Sequence, residues 1–400
     1  MRLVLERGTE MRMRSGLEVL LDDVSGLRGA QVGLCCNPTA IDRRYRHAIE
    51  LLSAAGVRLH RLFGPEHGVA ATAQDMIGVD GEDGELACVS LYGDSAESLK
   101  PPPETLADLD VLLFDIHDIG SRYYTYQATL GFIMEVAAET GTRIVVLDRP
   151  NPIDGVSVEG NVVEAGFESF VSAYPLANRH GMTMGELGLY FQRALGIDCP
   201  LEVVKCEGWR RDMWFDETGL PWVFPSPNMP TLETAIIYPG LCLIEGTNLS
   251  EGRGTTKPFH LVGAPWLDPA RFASLCRKGA LDAGLEGVAF REASFLPQFQ
   301  KHAGRTCGGV EIHLTDRNRL HALLLGWVVI EAARRCDGES FGWRTETYEF
   351  VDDPIAIDLL CGSTEGRAAI ETAMPLRDLV DHWDANRGDW NEARQSVLLY

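Results

Sequence analysis

Val111-Leu112-Leu113-Phe114-Asp115 and, one helical interval later, Ile144-Val145-Val146-Leu147-Asp148 are the stretches on which the reading of the fold turns. Each is an apolar run without polar alternation, the pattern of a strand buried on both faces, and each stops at an aspartate. Between them Tyr126, Leu130, Ile133, Met134 and Ala137 fall on one face at helical spacing, and Gly141 supplies a stop. Upstream, a strand expected over residues 30–36, a helix over 45–55 and a strand over 57–63 repeat the alternation. Strands and helices alternating at this interval predict an α/β fold, a doubly wound and mainly parallel sheet with crossovers on both faces.

In such sheets ligands bind beyond the carboxyl ends of the strands. Three apolar runs here deliver an acid within three residues of that end: Glu66 in Gly64-Pro65-Glu66-His67-Gly68, then Asp115 and Asp148. Glu66 fits a general acid best, because apolar Leu62 and Phe63 wall its turn and burial raises a carboxyl pKa. Asp115 and Asp148 also fit as caps of the chain that follows them. No GxGxxG follows the first strand and no GxxxxGK[ST] occurs, so dinucleotide and nucleoside-triphosphate sites lack support. Residues 74–85, rich in Gly and Asp, predict a loop or lid.

A second concentration of chemistry lies in residues 224–258. Its Pro and Gly content predicts ordered loop, since both residues disfavour helix and strand interiors. Within it stand Glu245, Asn248, Ser250, Glu251, Arg253, Thr255, Thr256 and Lys257. Arg179 and His180 precede Thr183 and Glu186, whose spacing is that of a capping box opening a helix to about residue 195. Beyond the loop a helix over 269–278, strands over 288–291 and 309–314, and a helix over 320–333 predict a smaller α/β unit. The expected division is residues 1–247 and 248–400.

The chain has 400 residues, more than one core usually serves, with 45% hydrophobic and 24% charged residues. A net charge of −22 argues against a nucleic-acid partner or an anionic membrane surface. Ten cysteines are scattered without a CxxC pair, as expected of buried thiols in a reducing compartment. The arginine-bearing start lacks the apolar segment of a secretory signal, so a cytoplasmic location is expected.

Several carboxylates, histidines and arginines without a Gly-x-Ser-x-Gly elbow point to acid–base hydrolysis without a cofactor or metal. The alternative is a metal-dependent hydrolase or deacetylase of amino sugars, with His67, Asp115, His117, Asp118 and His180 as ligands, although no HExxH is present. A further alternative is a non-catalytic receptor for cell-wall fragments.

The motifs from Gly64 to Gly68, Phe114-Asp115-Ile116-His117-Asp118-Ile119-Gly120-Ser121-Arg122-Tyr123-Tyr124-Thr125-Tyr126, Leu147-Asp148-Arg149-Pro150-Asn151-Pro152-Ile153 and Arg179-His180-Gly181-Met182-Thr183 resemble those of the exo-β-N-acetylmuramidase family NamZ. So do Pro225-Ser226-Pro227-Asn228-Met229-Pro230-Thr231 and the run from Glu245 to Thr256. The resemblance implies a Rossmann-like domain joined to a smaller C-terminal domain, with the site between them. It implies release of N-acetylmuramic acid from the non-reducing end of peptidoglycan-derived disaccharides or glycopeptides. The family's acid falls on Glu66, and Asp115, Glu245 or Glu251 becomes the second carboxylate or orients the acetamido group. The lactyl carboxylate of that sugar invites arginine, here Arg149, Arg179, Arg253 or Arg122. His67, His180, Asn228, Asn248 and Thr255 complete the expected substrate contacts.

Overall fold

The computed structural model describes residues 13–66, 68–70, 82–83, 86–93 and 95–400. Twelve strands occur among them: β1 (Val32–Cys36), β2 (Leu59–Gly64), β3 (Glu82–Asp83), β4 (Leu86–Ser90), β5 (Val111–Asp115), β6 (Arg143–Leu147), β7 (Glu159–Val162), β8 (Ala177–Arg179), β9 (Leu201–Val204), β10 (Leu261–Ala264), β11 (Val288–Phe295) and β12 (Cys307–Leu314). The main sheet has the order β3-β4-β2-β1-β5-β6-β9. Its last six strands are parallel, and β3 pairs antiparallel to β4 at one edge.

The apolar runs sort their side chains strictly between the two faces. Val32, Leu34, Val111, Leu113, Val145 and Leu147 pack on one side with Leu17, Ala48, Leu51 and Leu52. Cys35, Leu112, Phe114, Ile144 and Val146 pack on the other with Leu130, Ile133 and Leu187. A strand covered on both faces needs no polar alternation, which is why these runs read as continuous. The second core is continuous with that of the C-terminal part, where β10-β12-β11 form an antiparallel sheet. Trp327 on the helix Ala322–Cys336 is fully buried within it.

Most expected elements are present with shifted ends. The helix expected from residue 45 spans Ala48–Ala54, because Tyr45 takes a left-handed backbone with φ 61°. The capping box is real: Thr183 Oγ1 accepts from the Glu186 amide at 3.2 Å, and Glu186 accepts from the Thr183 amide at 3.0 Å. Most of the lid segment lies outside the described residues; its Glu82 and Asp83 form β3.

One reading is corrected. Residues 224–258 are not loop throughout, since Leu232–Leu241 form a helix that carries Pro239 inside it and continues as the 3₁₀ turn Cys242–Gly246. Thr231 caps it by accepting from the Thr234 amide at 3.2 Å, and Ala235, Ile236 and Ile237 bury its length. Pro239 stands near the C-terminal end, where few turns remain to disturb. Gly240 allows close contact with the helix Ala322–Cys336, since a Cβ there would sit 1.8 Å from the Ala322 carbonyl oxygen. No helix among the described residues is long and apolar enough to cross a membrane.

Candidate active site

The chain leaves β1 toward β2 and β4, then returns to place β5 on the other side of β1. A crevice is expected where the strand order reverses in this way. A cleft of about 500 Å³, its mouth included, is lined by Glu66, Thr125, Asn228, Glu245, Arg253 and Glu349 among others.

Glu66 sits in the turn that leaves β2, closed by the Gly68 amide donating to the Pro65 carbonyl at 2.8 Å. The residue is 7% exposed, and Thr125 Oγ1 donates to its Oε2 at 2.6 Å. Thr125 is the N-cap of the helix Tyr126–Thr140, yet its hydroxyl makes no bond to that helix. It holds the glutamate in place of the role an N-cap hydroxyl usually has. Burial, and then the adjacent Glu66 charge, raise the Tyr126 phenol pKa.

Glu245 lies in the 3₁₀ turn after the Pro239 helix. Arg253 Nη2 donates to its Oε1 at 2.6 Å and Tyr348 donates to its Oε2 at 2.9 Å. The Arg253 guanidinium lies 5.4 Å from the Phe259 ring centroid, and its Nε is 3.5 Å from Glu251. Gly252 and Gly254, at φ 81° and 77°, let the loop coil around Arg253; a Cβ on Gly254 would lie 2.8 Å from the Gln298 amide.

The third carboxylate, Glu349, was not among the sequence candidates. The Tyr348 and Val351 backbones exchange bonds of 2.9 and 3.0 Å around a two-residue turn, with Glu349 at φ 47° and Phe350 at φ 66°. Asn-Gly is the usual signal for such a turn, and here it is absent. Tyr92 donates to Glu349 Oε2 at 3.4 Å.

The structure thus brings Glu66, Asn228, Glu245 and Arg253 together, and places the other described sequence candidates elsewhere. Asp115 is fully buried and receives Arg149 bidentately, at 2.6 and 3.0 Å. Glu251 is buried behind Arg253, with Lys301 Nζ at 3.0 Å. Arg122 is buried beneath the cleft and donates to the carbonyls of Asn161, Leu176, Leu360 and Cys361, leaving it a tie between segments rather than a grip for a ligand. Arg179 pairs with Glu159 and Asp154, each at 2.7 Å. His180 accepts from the Met182 amide at 3.1 Å, with Asp118 3.8 Å from its other nitrogen. Thr255 closes its own turn on the Gly252 carbonyl. Asn248 lines a neighbouring groove, and His67 lies outside the described residues.

His117 is packed against Phe215, ring centroids 4.7 Å apart; burial first, and then the Arg149 charge, depress its pKa to about 3. Asp148 accepts from Thr183, Tyr400 and the Gly185 amide, so it ties the sheet to the C-terminus. Among the described residues no three His, Cys, Asp or Glu side chains converge as a metal site.

Residues 32–233 match the model of the exo-β-N-acetylmuramidase NamZ N-terminal domain, and residues 236–400 that of its C-terminal domain. The chain is 40% identical over 395 residues to a peptidoglycan β-N-acetylmuramidase NamZ from Bacillus subtilis strain 168, covering 97% of this chain and 92% of that one. Two crystal structures of DUF1343 family proteins from Bacteroides fragilis NCTC 9343 are similar in fold. One has a TM-score of 0.84 at 34% identity and the other 0.75 at 25%, each covering 97% of this chain and 99% of its own. With both halves matched and the relatives covered almost end to end, this chain belongs to the exo-β-N-acetylmuramidase NamZ family.

Proposed function

We propose that the protein is a glycosidase that releases N-acetylmuramic acid from the non-reducing end of peptidoglycan-derived glycans, with Glu66 as general acid. The observation that carries this assignment is the Thr125–Glu66 hydrogen bond, which fixes a buried carboxylate inside a cleft holding two further glutamates. Glycoside hydrolysis asks for that arrangement: one carboxylic acid protonates the leaving oxygen, and a second group activates water, attacks the anomeric carbon or orients the acetamido group that does so. Glu245 takes the second role in this reading, because Arg253 and Tyr348 orient both of its oxygens. Glu251 supports the site from behind through Arg253, while Asp115 holds Arg149 away from the cleft. Asn228 and Arg253 are the proposed contacts to the sugar and its lactyl carboxylate, together with His67.

The cleft draws on both sides of the proposed boundary, with Glu66 to Glu245 from residues 1–247 and Arg253, Tyr348 and Glu349 from 248–400. Ten cysteines without a disulfide support a reducing, cytoplasmic setting, where such an enzyme would serve recycling of cell-wall fragments. The test is turnover of a chromogenic β-N-acetylmuramide by wild type and Glu66→Gln, each with and without a chelator. Activity that survives chelation and falls at least about a hundredfold in the variant is expected. Activity lost on chelation, or retained by the variant, would overturn the assignment.

A further inference from the structure

Beside the cleft runs a wider groove of about 930 Å³, open to solvent, whose lining includes Asn248, Gln300, His302, Trp343 and Arg344. Arg344 from the groove and Tyr348 from the cleft meet between the two: the Arg344 guanidinium lies 4.8 Å from the ring centroid of Tyr348, whose hydroxyl holds Glu245 in the cleft. We infer that this groove is a saccharide subsite, which receives the sugar units on the leaving-group side of the bond cleaved next door. The inference rests on the glycosidase reading of the cleft and assigns the region that selects chain length.

Three observations carry it. Trp343 is half-buried with its plane fixed, since its indole N–H donates to Glu371 at 3.0 Å and its ring meets Phe341 edge-on at 5.1 Å. A fixed aromatic face suits the apolar C–H face of a pyranose. Asn248 donates to the Ser340 carbonyl at 2.8 Å, while its Oδ1 is buried without a hydrogen-bond partner among the described residues. An unpaired buried acceptor is costly to keep, and a small rotation of this groove-lining side chain would turn it to a sugar hydroxyl. Gln300 and His302 hold left-handed backbones, φ 60° and 61°, and His302 Nε2 lies 2.7 Å from the Asn248 carbonyl, so a strained turn is clamped onto the groove.

The charges favour a saccharide chain, whose charges are isolated lactyl carboxylates, over a multiply acidic peptide stem. The Lys301 ammonium faces the carbonyls of Ile244, Thr247 and Leu249 and the Glu251 carboxylate, and Glu346 offsets Arg344.

The experiment compares an aryl β-N-acetylmuramide with a peptide-free tetrasaccharide that ends in N-acetylmuramic acid, and with its peptide-bearing form, for wild type, Trp343→Ala and Gln300→Gly. The glycine variant removes the amide while it relaxes a left-handed backbone position. Both variants are expected to raise KM for the tetrasaccharide about tenfold, with kcat and aryl-glycoside turnover unchanged. Equal effects on all substrates, or none on the tetrasaccharide, would overturn the subsite. A loss confined to the peptide-bearing form would give the groove to the peptide instead. If wild type turns over none of them, the glycosidase reading fails, and calorimetric binding of the tetrasaccharide to wild type and Trp343→Ala decides the groove by itself.

Discussion

The Tyr348 hydroxyl donates to Glu245 Oε2 at 2.9 Å across 103 positions of sequence. It joins the 3₁₀ turn of Glu245 to the hairpin turn that carries Glu349, so the phenol that orients one cleft carboxylate precedes another in the chain. Tyr348→Phe keeps the ring and its contact with Arg344 and removes only the bond. Losing a hydrogen bond to a charged group is expected to lower kcat about tenfold with little change in Tm. Unchanged kcat would mean that the Tyr348 bond is not needed to orient Glu245.

Asp115 and Arg149 give a prediction of the opposite kind. Both are buried and their charges satisfy each other, so Asp115→Ala leaves an uncompensated guanidinium in the interior. A destabilisation on the order of 3–5 kcal/mol is expected. Replacing both by apolar residues should recover most of it, and a double-mutant cycle in urea measures the coupling. If Asp115→Asn instead folds as stably as wild type and is inactive, Asp115 belongs to the chemistry.

Asp148 should leave a mark on the pH dependence of stability. Burial raises its pKa to about 6, despite the hydrogen bonds from Tyr400, Gly185 and Thr183 that pull the other way. The folded state therefore holds this proton more tightly than the unfolded chain. The resulting stability is present in full below about pH 4, the ordinary aspartate value, and is lost as pH rises through about 6. Measured against Asp148→Asn, the stability advantage of the aspartate should fall by roughly 2–3 kcal/mol from about pH 4 to pH 7. A difference that does not vary with pH would refute the shift.

What could be read from the sequence follows from how local each signal is. β5 and β6 were legible because a strand covered on both faces writes its burial into consecutive residues, and Glu66 because a Pro-Gly turn after such a strand must lie at the sheet's ligand-binding edge. Thr183 and Glu186 announced their helix by spacing alone. The helix Leu232–Leu241 was hidden because Pro239 and Gly240 speak against it locally, whereas contact with Ala322 and Gly326, far along the chain, decides it. The division of the arginines was hidden for a related reason. Arg149, Arg179 and Arg253 share one residue type, and only the fold determines that the first two are absorbed by Asp115, Asp154 and Glu159 while the third reaches the cleft.

Glu349 was beyond sequence reasoning because its turn breaks the local rule. A two-residue hairpin with both central residues at positive φ calls for Asn and Gly, and this one has Glu and Phe. Phe350 lies 6.2 Å from Tyr92, centroid to centroid, and Tyr92 also binds Glu349, so packing holds the turn in a conformation that costs about 1 kcal/mol or more per residue. Backbone strain kept at the rim of a cleft argues that the side chain it projects is needed there. Glu349→Asn separates the two effects, since asparagine tolerates the left-handed backbone but is one methylene shorter and uncharged. The variant should be as stable as wild type or up to about 1 kcal/mol more so, and at least about tenfold less active on the aryl glycoside. Full activity with the added stability would mean that the glutamate is carried by the turn and not used by the site.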